Sequence, residues 1–173
     1  GTSMKLAAPK SIIRVRGESS FLQLIAAQLT TFCDVHGAKT PLLLMNSHHT
    51  RHASLADIAD FKQPGDFPLD FLQHRVPRIA ASDLGPVSMP TEEDTWAPPG
   101  HGDIYLAMWL SGVLETLVEA GYRWAFVSNC DNLGATVDPH ILAYLEESSV
   151  EFAMEVTPKT AADVKGGTLV RRD

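Results

Sequence analysis

The sequence has only two cysteines, Cys33 and Cys130, and no uninterrupted apolar run of about 18 residues. Two cysteines are too few for a disulfide framework, and neither stands in a paired metal-binding spacing, so reduced thiols in the cytoplasm are expected. No charged, apolar leader opens the chain, which argues against secretion, and the missing apolar run argues against a membrane span.

Basic residues are also scarce, with 14 Lys and Arg against 21 Asp and Glu and a formal net charge of −7. This balance argues against nucleic acid and an anionic membrane as main partners, because both need a basic surface. A small anionic ligand held by a few local donors remains compatible with it. The 173 residues, 45% of them hydrophobic and 20% charged, are enough for one domain with a core.

Helix-like and strand-like segments alternate along the chain without internal repeats. The periodicity predicts helices at 19–37 (capped by Ser19 or Ser20 and stopped by Gly37), 54–61, 101–121 and 138–149, the last with Asp138 as cap and Pro139 at its first position. Apolar runs predict buried strands at 41–47, 123–129 and 150–158. Such an alternation predicts an α/β fold with a mostly parallel sheet covered by helices on both faces.

Two polar side chains stand at the carboxyl ends of predicted strands, where ligands bind in sheets of this kind. Asn46 ends one strand, and Asp131 follows the strand at 123–129 in the stretch "FVSNCDNLGATVD". Asp131 is placed to hold a hard cation such as Mg²⁺, which binds through one or two carboxylates together with substrate phosphates. The alternative is that Asp131 caps the following turn through its side chain.

Glycines surround a histidine immediately before the long predicted helix, in "WAPPGHGD". Gly100 and Gly102 bring bare backbone close to the helix N-terminus, and His101 stands between them. Amide donors and an imidazole there would suit an anion, whereas the alternative is a tight turn with a capping histidine. The pattern leaves both interpretations open.

The chain opens with a Gly-Thr-Ser loop that begins at Gly1 and leads to Lys10. Backbone amides of such a loop can cradle phosphates, with Lys10 as a point charge. Because the Gly-Lys-Ser/Thr order of a Walker motif is missing, this stretch alone favours a solvated surface lysine at Lys10. In "NSHHTRH" an exposed polar loop is favoured over a zinc site at His48 and His52. Trp96 is interpreted as a packing residue.

Several longer strings occur together in one family. "GTSM" with "PKS", "LLLMNS", "PPGHGD", "SNCDNLGATVD" and "MEVTPKTAADVKGGTL" appear in this order and at compatible spacings in the UTP–glucose-1-phosphate uridylyltransferases, which the sequence resembles over essentially its whole length. The resemblance implies a Rossmann-like αβα sandwich of the GT-A nucleotidyltransferase type with a mostly parallel or mixed central sheet. It also implies conversion of UTP and glucose 1-phosphate into UDP-glucose and pyrophosphate with Mg²⁺.

The resemblance also implies roles for single residues. Lys10 corresponds to a catalytic lysine that contacts the UTP phosphates, and Gln73, in "FLQHRVPRI", to a glutamine that recognises uracil. The implied contacts are, for the nucleotide, Gly1, Lys10, Gln73 and Gly100; for the substrate phosphate and sugar, His101, Asn129, Asp131 and Gly167; and for Mg²⁺, Asp131.

The chain differs from the family pattern at its start, where Lys5 and Ala8 stand in place of the usual glycines. The resemblance further implies that residues 1–173 are part of a catalytic domain, with a first strand and the start of the glycine-rich loop upstream and a β-helix domain downstream. The open sheet edge of such a part would favour a homo-oligomer. Two rival functions remain: a pyrophosphorylase for another UDP-sugar, and a nucleotide-binding or assembly module without catalysis.

Overall fold

A computed structural model describes residues 9–161 and 171, so the predictions for Gly1, Lys5, Ala8 and the Gly166-Gly167 turn lie outside the described residues. The chain divides into two units, Gly1–Val137 and Asp138–Asp173. The helices are α1 (Phe21–His36), α2 (Arg51–Asp57), α3 (Glu92–Thr95), α4 (Asp103–Leu110), α5 (Val113–Glu119) and α6 (Pro139–Ser148), with a 3₁₀ turn at Lys10–Ile12. The strands are β1 (Arg14–Arg16), β2 (Ser19–Ser20), β3 (Leu44–Asn46), β4 (Asp70–Leu72), β5 (Val76–Pro77) and β6 (Trp96–Ala97).

Helix α1 begins and ends where the sequence predicts. The Ser20 hydroxyl accepts a hydrogen bond from the Gln23 backbone amide at 3.0 Å, and the Gln23 side chain accepts one from the Ser20 amide at 3.2 Å. These reciprocal bonds form a capping box that satisfies two amides at the helix start. Ser20 also donates to the Asp57 carboxylate at the end of α2, so the cap of one helix is tied to the end of another.

Replacing Ser20 with alanine is expected to lower the free energy of unfolding by about 1–3 kcal/mol, because it removes a cap and leaves the Asp57 carboxylate without its hydroxyl donor. Urea unfolding of the purified protein measures this. The matched control is Ser148→Ala, whose exposed hydroxyl donates to the Tyr144 carbonyl within α6. The control is expected to stay within about 0.5 kcal/mol of wild type; equal losses in both variants would contradict the special role of Ser20.

The strands β3 and β4 pair in parallel, with Leu44 opposite Asp70 and Asn46 opposite Leu72. Because side chains alternate along a strand, Leu42 and Leu44 face one side and Leu43 and Met45 the other. The first side packs against a cluster formed by Leu22, Ala26 and Ile58, and the second against a cluster formed by Phe71, Ala107 and Val113. The pair therefore has helices on both faces, as the sequence predicts for its sheet.

The helix predicted at 101–121 is two helices, α4 and α5, separated at Ser111 and Gly112. Gly112 has φ +78°, a left-handed conformation that interrupts the α-helical path and that glycine adopts without a steric penalty. The prediction of a single helix was wrong because the apolar periodicity continues across the break. The predicted helices at 19–37 and 138–149 are confirmed as α1 and α6, and Asp138 caps α6 through its side chain.

The central sheet is less extensive than predicted. Among the described residues the strands form three two-stranded sheets, and no strand is assigned at 123–129 or 150–158, where the sequence predicts them. Phe126 and Val127 are more than half exposed. A strand exists only where a neighbour completes its hydrogen-bond ladder, and apolar sequence alone does not supply that neighbour. No helix within the described part of the chain is long and apolar enough to cross a membrane.

Candidate functional site

Lys10 and Asp131, distant in sequence, lie side by side in the structure. The Lys10 ammonium is 3.8 Å from the Asp131 carboxylate, and both side chains are about one-third exposed. Lys10 begins the 3₁₀ turn, which contacts both α1 and α2. The structure thus brings together two predicted site residues and leaves their charged ends accessible to a ligand.

Asp131 lies in a tight turn rather than capping the chain that follows it. The Asn132 amide donates to the Asn129 carbonyl at 3.1 Å, and the Asn132 side chain accepts from the Gly134 amide at 3.1 Å. The capping role that the sequence offered for Asp131 therefore belongs to Asn132. Asn129, a predicted sugar-nucleotide contact, is exposed at the start of the same turn.

Cys130 lies between Asn129 and Asp131 in the sequence and is exposed. Partial desolvation, followed by the neighbouring Asp131 carboxylate, raises the pKa of the Cys130 thiol, although a hydrogen bond with Ser11 opposes the shift. A raised pKa keeps the thiol protonated at neutral pH, so Cys130 is a poor nucleophile. Its contact with Ser11 is a second link between the turn at 129–132 and the 3₁₀ turn.

A shallow cleft contains Gln73, for which the family resemblance implies recognition of uracil. Gln73 directly follows β4, is half-buried, and donates its backbone amide to the Asn46 carbonyl at 2.9 Å. The cleft is lined by Ser47, His48, His49, Gln73, His74, Arg75, Trp96, Ala97 and Pro98. The parallel pairing of β3 and β4 therefore continues to the point where Gln73 enters the cleft.

Asn46, at the end of β3, is buried and has a structural role. Its side-chain amide donates to the Asp70 carboxylate at 3.2 Å. The same carboxylate accepts from the Arg51 guanidinium at 2.8 and 3.1 Å, a two-point contact of favourable geometry. This network joins β3, β4 and α2 beneath the cleft, so Asn46 supports the strand ends rather than a ligand.

The Gly-His-Gly segment forms the approach to α4. Gly100 has φ +120°, a conformation that side chains disfavour, and a Cβ there would meet nothing within 4 Å. His101 is exposed, and its carbonyl accepts the Ile104 amide as the helix starts. Asp103 accepts from the His74 amide at 2.7 Å, which joins this segment to the residue after Gln73.

Sequence reasoning missed most of the cleft. His48 is exposed in a turn, as the sequence predicts, and Trp96 is partly buried, but the sequence did not predict that both residues line the cleft with Gln73. The Arg75 guanidinium carbon lies 5.3 Å from the centroid of the Trp96 ring, a cation–π contact. The only sequence signal for this grouping was that "NSHH" follows a predicted strand, since the irregular segment 62–99 gives no hint of where Trp96 lies.

A metal ion in this region would depend on few protein ligands. Within the described part of the chain, no three His, Cys, Asp or Glu side chains converge as a metal group would require. Asp131, as one accessible carboxylate beside a lysine, fits Mg²⁺, which takes few protein ligands and completes its shell with water and phosphate oxygens.

Sequence comparison decides the family. The profile of the UTP–glucose-1-phosphate uridylyltransferase family matches residues 1–173. The chain belongs to this family of nucleotidyltransferases. It is 44% identical over 173 residues to UTP–glucose-1-phosphate uridylyltransferase 2 of Dictyostelium discoideum, covering 99% of the chain and 34% of that protein. It is also 44% identical to the Saccharomyces cerevisiae enzyme, covering 35% of it. The chain thus spans about one-third of the length of these uridylyltransferases.

Solved structures agree with this assignment. The UDP-glucose phosphorylase of Trypanosoma brucei superposes with a TM-score of 0.86 at 38% identity, covering 96% of the chain and 37% of that structure. A Leishmania major UDP-glucose pyrophosphorylase mutant in complex with UDP-glucose superposes with a TM-score of 0.80 at 36% identity, covering 95% and 35%. The backbone of this chain therefore resembles that of about one-third of each of these two structures.

Proposed function

We propose that the chain forms the UTP-binding part of an enzyme that transfers the uridylyl group of UTP to glucose 1-phosphate, giving UDP-glucose and pyrophosphate. The observation that carries this is the presence, in the unit Gly1–Val137, of both the Lys10–Asp131 pair and the cleft containing Gln73. The Lys10–Asp131 pair provides charges for the phosphates, and the cleft provides the Gln73 amide for the base. Family membership and the UDP-glucose bound to the Leishmania major relative support the same substrates.

The base side rests on the chemistry of Gln73. Its side-chain amide offers a donor and an acceptor, which match the acceptor and donor of the uracil imide edge. Trp96 and His48 supply flat rings in the same cleft, suited to contact with a base. A cytosine presents a different donor and acceptor order on that edge, so this side of the site discriminates between nucleotides.

The phosphate side rests on Lys10 and Asp131. Lys10 contacts the phosphate oxygens and offsets their negative charge, while Asp131 holds Mg²⁺ through a carboxylate oxygen. When bound, Mg²⁺ neutralises further charge on the triphosphate. Gly100 and His101 face the phosphate and sugar portion with bare backbone and an imidazole, and Asn129 contacts the sugar nucleotide. Gly1 and Gly167 complete the nucleotide and sugar contacts in this proposal.

The reaction needs no general base. A phosphate oxygen of glucose 1-phosphate, already ionised at neutral pH, attacks the α-phosphorus of UTP in line. The new P–O bond forms as the bond from the α-phosphorus to the bridging oxygen breaks, and pyrophosphate leaves with that electron pair. The work left to the protein is positioning and charge relief, which suits a lysine and backbone amides.

The same proposal extends to the fold. The three-layer packing around β3 and β4 is one part of a Rossmann-like αβα sandwich of the GT-A type with a mostly parallel or mixed central sheet. Support comes from the parallel pairing of β3 and β4 and from the TM-score of 0.86 to the Trypanosoma brucei structure. Residues 1–173 then form part of a catalytic domain whose remaining strands come from elsewhere in the polypeptide.

Measurement of magnesium-dependent UDP-glucose formation tests this function. The 173-residue chain is compared with a version extended by the remaining segments of the Saccharomyces cerevisiae relative. Activity with UTP and glucose 1-phosphate only in the extended version is expected. Preference for another sugar 1-phosphate would replace the sugar assignment, and UTP binding without turnover by a folded extended protein would favour the non-catalytic module.

A further inference from the structure

The side chain of Asp103 connects two segments to which the proposed function gives separate tasks. One carboxylate oxygen accepts from the His74 backbone amide at 2.7 Å, and the other lies 2.8 Å from His74 Nδ1. His74 directly follows Gln73, and Asp103 comes two residues after His101. A single carboxylate thus joins the segment that holds the base-reading glutamine to the Gly-His-Gly segment.

The contact of Asp103 with His74 is a second attachment between α4 and the end of β4, in addition to their apolar packing. Phe71, in β4, and Ala107, in α4, belong to one buried cluster. Asp103 and Ala107 are four residues apart, so they lie on the same face of α4. Ala107 packs near the end of β4, and one helical turn earlier Asp103 contacts the residue that follows Gln73. Two contacts on one face of α4 fix the orientation of the helix relative to β4 as well as its distance from β4.

The Asp103 side chain is only 7% exposed, while that of His74 is 42% exposed. Desolvation raises the pKa of the Asp103 carboxyl, but the hydrogen bonds from the His74 side chain and backbone outweigh it, and the net pKa lies below its usual range. The carboxylate is therefore ionised at neutral pH and accepts from both His74 donors. The histidine, in contrast, has an edge open to solvent.

We propose that Asp103 is a positioning residue that holds Gln73 and the Gly100–His101 backbone at the separation needed to engage the base and the phosphate portion of one UTP molecule. This rests on the function proposed above and adds to it. Asp103 touches neither the base nor the phosphates in this arrangement; it acts through His74 on one side and the start of α4 on the other. Its loss weakens nucleotide binding because the two contact segments no longer share one fixed geometry.

Calorimetric titration of the extended protein with UTP and Mg²⁺, alongside steady-state kinetics, tests this positioning role. Asp103→Ala removes both acceptors, and we expect about tenfold weaker UTP binding, a matching rise in KM for UTP and a smaller change in kcat. Asp103→Asn keeps one oxygen that accepts the His74 amide. We expect it to restore most of the UTP affinity.

Asp57→Ala is the matched control, because the Asp57 side chain is also 7% exposed and accepts from Ser20 rather than from the cleft. It is expected to lower stability without changing UTP affinity. Unchanged UTP affinity in folded Asp103→Ala, an asparagine variant no better than alanine, or an equal loss in Asp57→Ala would each overturn the positioning role. Binding without UDP-glucose formation by the wild type would contradict the proposed function alone, and no UTP binding by the wild type would contradict both.

Discussion

Lys10→Ala in the extended protein is expected to lower kcat for UDP-glucose formation by about 10²–10³-fold, with a smaller change in KM for UTP. The reason is that charge on the phosphoryl oxygens is greatest as pyrophosphate leaves, where the Lys10 ammonium contributes most. Steady-state kinetics with UTP and glucose 1-phosphate measures this. Folding is expected to change little, because an ion pair about one-third exposed at 3.8 Å contributes at most about 1 kcal/mol.

Lys62→Ala is the control for the loss of a positive charge, since Lys62 is exposed in the segment after α2 and outside both parts of the site. It is expected to keep wild-type kinetics. Lys10→Arg separates charge from shape: arginine keeps the charge but presents a planar fork, so intermediate activity is expected. Wild-type turnover in Lys10→Ala would contradict the role of Lys10 in the reaction.

Gln73→Ala is expected to reduce the preference for UTP over CTP by about 10- to 100-fold, because an amide that pairs with the base edge contributes about 1–3 kcal/mol to discrimination. The ratio of kcat/KM for the two nucleotides measures this. The loss is expected mainly in UTP, whose imide edge matches the amide, while turnover at saturating UTP changes less.

Gln63→Ala is the matched control for Gln73. The Gln63 side-chain amide forms two hydrogen bonds with the Leu42 backbone, at 2.8 and 3.0 Å. The variant therefore removes a hydrogen-bonded glutamine that lies outside the cleft. It is expected to lower stability and preserve nucleotide preference. A UTP preference unchanged in Gln73→Ala, or lost equally in Gln63→Ala, would show that the Gln73 amide does not read the base.

Local signals in the sequence were sufficient for the helices with clear ends. Helix α1 starts at a capping box formed by Ser20 and Gln23 and ends at Gly37. Helix α6 starts at the Asp138 cap with Pro139 in its first position, so the signals at each helix end lie within a few residues of it. These contacts need no distant part of the chain, which is why periodicity and caps predicted both helices. The break at Gly112 was missed because a single glycine is compatible with either a continuous or a divided helix.

Long-range contacts account for what the sequence could not provide. The segment 123–129 has the composition of a buried strand, yet strand formation requires a partner, and no pairing is present there among the described residues. The cleft combines residues from three distant stretches around Ser47, Gln73 and Trp96. The Lys10–Asp131 pair spans most of the unit Gly1–Val137, and only the family resemblance placed both residues in one site.

The central claim is that the Gln73 cleft and the Lys10–Asp131 pair bind the two ends of one UTP molecule. Hydrogen exchange of the extended protein with and without UTP and Mg²⁺ tests it directly, with the middle of α1 as internal reference. We predict that saturating UTP slows amide exchange at 73–75 and 100–103 together with 10–13 and 129–133, with the same UTP dependence. Protection of only one of these regions, or half-saturation at different UTP concentrations, would contradict a single shared site.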